Sequence, residues 1–199
     1  MGMKGVVVVV PQARVADLVR VGLAVSDERV DPSDGMLDTS LAVIERPGGL
    51  VLVSGWQEMA DAAERLTPLG TVHVAAFMST VDYLSWRVVG ADGERRWQSL
   101  EGDVTSMGSP HPAESRVDEL TEDTLWELLE RATGLPDDAV WRSEAAVLVA
   151  SPGSPGWPEL GGDDDHDEAP VFIEYDWSAS TGPASPPSRL GRWRRLLGR

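Results

Sequence analysis

The chain has no cysteine, so neither disulfides nor thiolate chemistry contribute to it, which fits a reducing compartment. Lysine is almost absent too: Lys4 is the only one, and arginine supplies the other basic groups, the bias of GC-rich bacterial coding. Long apolar runs are missing. The five valines Val6 to Val10 give way to Pro11, Gln12 and Arg14, short of the roughly 18 residues that span a bilayer. They also fall short of the about 7–15 apolar residues of a secretory signal. The expectation is a soluble, cytoplasmic protein. Three histidines cannot build a histidine-rich metal site, and zinc ribbons and fingers need cysteine. No metal or cofactor is therefore expected.

What remains is a strongly acidic chain of 199 residues with net charge −16. Such a body repels phosphate, which argues against nucleic-acid binding and favours a basic protein partner. With 42% hydrophobic and 25% charged residues it falls in the globular class, long enough for one domain and a tail.

The valine run reads as a strand buried on both faces, because β-branched residues fit a pleated surface. Pro11 then allows a helix, with Val15, Leu18, Val19 and Leu23 at helical spacing. Ser26 to Ser40 reads as a loop. Leu41 to Arg46 and Leu50 to Ser54 flank Pro47-Gly48-Gly49, a hairpin signal. Trp56, Met59, Ala60, Ala63 and Leu66 line one helical face, and Thr71 to Met78 is the next strand. This βαββαβ order predicts an α+β fold with a ferredoxin-like core, two helices covering one face of a four-stranded sheet. A hairpin about Asp92-Gly93 is expected to extend it, with Leu84, Trp86, Val88 and Trp97 on one face. Tyr83, Arg87, Arg96 and Gln98 take the other. A third helix starts at the Thr121 cap and ends at Gly134, and Ala145 to Ala150 is one further strand.

The predicted organisation is a globular domain over 1–150, a Pro/Gly/Ser-rich and acidic segment over 151–188, and a basic tail over 189–199. Val171 to Trp177 alternates well enough for a strand, and the terminus is expected to be flexible.

Candidate sites are few. Asp163, Asp164, Asp165, Asp167 and Glu168 form an acidic run whose carboxylates at positions 1, 3 and 5, with Glu174 at position 12, imitate an EF-hand loop. Glu168 occupies the position that needs glycine and Pro170 follows, so the run reads as a solvated loop. His73, inside a strand pattern, reads as a hydrogen-bonded structural histidine. His111 stands in a Pro-His-Pro triplet, either a rigid exposed imidazole or turn punctuation. Ser54-Gly55 lies at a strand-to-helix junction of the kind that can hold an anion. No Gly-x-Gly-x-x-Gly, Walker or Gly-x-Ser-x-Gly motif occurs, so the sequence favours a non-enzyme.

Among eight tryptophans, Trp86, Trp97 and Trp126 suit the core, whereas Trp141, Trp157 and Trp177 are candidate interface residues. The tail places Arg189, Arg192, Arg194 and Arg195 around Trp193 and Leu197. Its five arginines leave 12 basic against 33 acidic groups elsewhere. It could contact an anionic membrane, dock on a partner, fold back on the acidic run, or remain a frayed solubilising end. The order of tryptophan hairpin, Gly/Pro-rich segment and terminal helix resembles uncharacterised bacterial, partly immunity-like proteins, and transfers no site residues. The expected function is a non-catalytic interaction or regulatory module that binds a basic partner. The alternatives are a small-molecule-binding domain or enzyme without a recognisable motif, and peripheral membrane association through the tail.

Overall fold

Val6 to Val10 are all buried, and alternation sends them to two different cores. They form the middle of β1 (Lys4–Pro11), an interior strand of the sheet. The computed structural model describes residues 4–32, 41–55, 59–135, 144–151 and 157. In chain order the other strands are β2 (Leu23–Val30), β3 (Ala42–Arg46), β4 (Gly49–Ser54), β5 (Val72–Met78) and β6 (Tyr83–Gly90). β7 (Gly93–Leu100), β8 (Asp103–Met107) and β9 (Ala145–Ala150) complete a nine-stranded sheet of order β2-β9-β3-β4-β1-β5-β6-β7-β8. Every pairing is antiparallel.

Both faces are covered. On one, the 3-10 helix Val15–Val21, the short helix α1 (Met59–Ala62) and the 3-10 helix Ala63–Leu69 pack Leu18, Met59, Ala63 and Leu66 against Val6, Val8 and Val10. On the other, α2 (Glu122–Thr133) lays Leu125, Trp126, Leu128 and Leu129 over Val7, Val9, Ala75 and Phe77. As the sequence indicated, Thr121 caps α2 by accepting the Thr124 N–H, and Gly134 ends it in the left-handed region. We call these the α1 face and the α2 face.

This corrects the expected ferredoxin-like core. The sheet has nine antiparallel strands rather than four with an added hairpin, and helices lie on both of its faces. The first helical segment is a 3-10 helix that stops at Gly22, φ 76°, and the chain re-enters the sheet as β2, where a helix end and a loop were expected. β2 is an edge strand, and its polar residues Asp27, Glu28 and Arg29 are exposed, so the alternation that marks a half-buried strand is missing. β9 then inserts between β2 and β3.

The tryptophan hairpin also shifts. Its turn is Ala91-Asp92, Gly90 faces Gly93, and Trp86 faces Trp97. The slip from the expected register is two residues, and side chains alternate with period two, so the expected faces are kept. At the β3–β4 turn, Gly49 is obligatory. Its φ is 150°, and a Cβ there would lie 2.4 Å from the Val10 carbonyl oxygen. Among the described residues no helix is long and apolar enough to cross a membrane.

Candidate functional site

Three features stand out from ordinary packing: a histidine pair, a buried arginine and an open strand edge. β5 points His73 to the α2 face, opposite Val9 on β1 and Val88 on β6. The imidazole is 3% exposed and its Nδ1 has no hydrogen-bond partner. Trp86 lies 5.8 Å from it between ring centroids, and His111 lies 5.7 Å away, edge-on. Burial, and then the proximity of His111, lower the His73 pKa to about 4.

His111 arrives on the segment after β8. Gly108 (φ 79°) lets that segment cross β7, because a Cβ there would lie 2.1 Å from the Glu94 carbonyl oxygen. His111 caps the 3-10 helix Pro112–Arg116: its Nδ1 accepts the Ala113 N–H at 3.2 Å, and its own backbone N–H donates to Glu114 Oε1 at 3.0 Å. Glu114 in turn receives Arg95 Nε at 2.9 Å and a guanidinium NH2 at 2.7 Å. Burial pushes the Glu114 carboxyl up, but the Arg95 hydrogen bond and the His111 N–H outweigh it and hold it below the usual range. Arg95 also donates to the Met107 carbonyl, so one ion pair fastens the end of β8 to the helix carrying His111. No three His, Asp or Glu groups among the described residues could hold a metal. The rings of Trp86 and His111 flank His73.

Arg87 lies on the α1 face and is 3% exposed. Its Nε donates to Glu94 Oε1 at 2.6 Å, its NH1 to the Ala60 carbonyl at 2.8 Å, and its NH2 to Glu64. Arg96 also donates to Glu94, at 2.9 Å. Burial opposes the Arg87 charge, yet Glu94 and Glu64 raise its pKa overall. Glu94, pushed up by burial, is held low by Arg87 and Arg96. The network clamps the hairpin to α1 and the 3-10 helix behind it. An open depression beside it is lined by Glu64, Thr67, Pro68, Val89, Gly90 and Ala91.

The third feature is β8. It pairs with β7 and, among the described residues, has no strand on its outer side. Four of its five residues are exposed, including Val104 and Met107, each at 52%. The opposite edge, β2, is longer, carries Asp27, Glu28 and Arg29, and has an irregular register between Val25 and Arg29. Charges and bulges are the usual protection of an edge, and β8 has only Asp103 at its end.

Of the residues singled out from the sequence, Asp163, Asp164, Asp165, Asp167, Glu168, Arg189, Arg192, Trp193, Arg194, Arg195 and Leu197 lie outside the described residues. The strand expected at 171–177, Trp141 and Trp177 do too. Trp157, a candidate interface residue had it been exposed, is buried on the α1 face. Its indole donates to the Val21 carbonyl at 2.6 Å and Arg65 sits 5.8 Å from its ring centroid. Ser54 is buried too, and the residues that follow the Ser54-Gly55 turn, 56–58, lie outside those described. His73 is buried within a strand, where a hydrogen-bonded histidine was expected, and its Nδ1 has no hydrogen-bond partner. β8 itself was hidden because a strand exposed on both faces has no apolar alternation. Comparison with protein-family models, with curated proteins and with solved structures finds no match.

Proposed function

We propose that this protein is a non-catalytic interaction module that receives a partner strand along β8. The supporting observation is the edge itself: among the described residues no strand pairs with the outer side of β8, which exposes Val104 and Met107 and lacks the guards found on β2. Strand addition draws affinity from main-chain hydrogen bonds and specificity from alternate side chains, and needs no pocket. The two buried polar clusters fit a scaffolding role, since Arg95 and Arg87 both tie the β6–β7 hairpin to neighbouring elements. They hold the strand behind β8 rigid, which lowers the ordering cost of binding.

A small-molecule site at His73 would require open space beside a free carboxylate. Trp86 and His111 pack against that ring, and Glu114 is engaged by Arg95. The test is a pull-down from the native host with wild-type protein and the variant Val104→Lys. A partner recovered with wild type and lost from the variant is the expected result. A partner retained equally by both overturns the β8 assignment.

A further inference from the structure

The open edge leads to its occupant. We infer that β8 pairs antiparallel with β8 of a second copy of this chain, with Thr105 opposite Thr105, joining two sheets into one. The inference rests on the proposed function and supplies its partner. The pattern along the strand carries it. In that register Val104 meets Ser106 and Asp103 meets Met107, so no charge faces a like charge. Threonine opposite threonine is a favourable cross-strand pair, and opposed residues share a face, so the α2 face of one copy continues into that of the other. The central residues Val104, Thr105 and Ser106 are uncharged, unlike an edge that selects a charged peptide. β2 cannot do the same: centring on Asp27 or Glu28 sets a carboxylate against its own copy, and the register is broken there.

The chain's charge of −16 makes two copies repel at a distance. Association through the neutral strand therefore strengthens with added salt, the opposite of binding to a basic partner. A five-residue ladder is a small interface, so the dimer is weak and concentration-dependent.

The experiment is sedimentation of the full chain from micromolar to millimolar concentration, at low and moderate salt, for wild type, Thr105→Lys and Thr105→Asp. Far-ultraviolet circular dichroism verifies that each variant folds. A wild-type dimer favoured by salt, weakened at least about tenfold in each variant because like charges then face each other, supports the inference. Recovery of the dimer on mixing the two variants supports it further, because only the self-paired register sets the introduced ammonium of one copy against the introduced carboxylate of the other. A dimer indifferent to both substitutions overturns it. So does a monomer at every concentration. Amide exchange along β8 in that monomer then separates the two ideas. Protected amides mean the edge takes a strand from its own chain, which sinks the dimer alone. Free amides, with no β8-dependent partner in the pull-down, sink the proposed function as well.

Discussion

The two faces of the sheet bury polar groups in opposite ways. On the α1 face the groups are driven toward their charged forms: Arg87 is raised and Glu94 lowered, because each has the other at hydrogen-bond distance. On the α2 face, His73 and Glu122 are driven toward their neutral forms. Burial and nearby His111 lower His73 to about 4, and burial with the neighbouring Asp123 charge raises Glu122 to about 7. On the α2 face Arg95 keeps Glu114 charged by the same kind of pairing. Burial itself is similar on both faces, since Arg87 and His73 are each 3% exposed. What differs is whether a counter-charge comes within reach, and that decides between a paired ion and a neutral group.

Removing the counter-charge on the α1 face is expected to have the largest effect. Arg87→Met keeps most of the stem but removes three hydrogen bonds and leaves Glu94 to Arg96 alone, and should cost about 3–5 kcal/mol in urea unfolding. Glu64→Gln, at a residue whose side chain is 59% exposed, should cost under about 1 kcal/mol. Equal losses from the two would mean that Glu64, not Glu94, is the main partner.

Acid should then separate the faces. His73 titrates near 4 when folded and near 6.5 when unfolded, so between these values the unfolded chain binds the extra proton. Stability is full above 6.5 and falls as pH drops through that window, by about 3 kcal/mol in all. His73→Leu should remove this slope while changing stability at pH 7 by less than about 1.5 kcal/mol. A slope that survives the substitution would belong to another group. Glu94 and Glu114, both held low, lose their contribution only as pH falls below the usual carboxylate range.

Glu122 should give the smallest effect, with the reverse sign. Its folded form holds the proton up to about pH 7, so its contribution is present in acid and lost as pH rises through 7. The group is partly exposed, and solvent screening keeps the change under about 1 kcal/mol. Glu122→Gln should stabilise the protein slightly at pH 8 and leave it unchanged at pH 4, as read by thermal unfolding at the two values. Destabilisation at pH 8 would mean that attraction to the α2 N-terminus outweighs burial.

The interior was the legible part of the sequence. β1 announced itself by its valines, α2 by its cap, stripe and Gly134, and the hairpin by an alternation that survived a two-residue slip. The edges were not legible. β2 and β8 expose residues on both faces, which erases the period-two signal. Strand order was equally hidden, since nothing local states that β9 lies between β2 and β3. The same holds for the candidate site. His73 and His111 looked unrelated until the sheet and the Gly108 crossing brought their rings together. Trp157 looked like a surface residue because its own neighbours are prolines and glycines, whereas its packing partners, Val21 and Arg65, come from early in the chain.

β9 also sets a timetable for the nascent chain. β2 pairs only with β9 among the described strands, and Trp157 closes over Val21 beside it. Strands β3 to β8 and β1 can zip together as they leave the ribosome, but β2 must wait for a partner made some hundred residues later. At ordinary synthesis rates that wait is on the order of ten seconds. Its charged run Asp27-Glu28-Arg29 keeps the waiting strand hydrated through that interval, so the same residues that guard the edge of the finished sheet also protect it during synthesis.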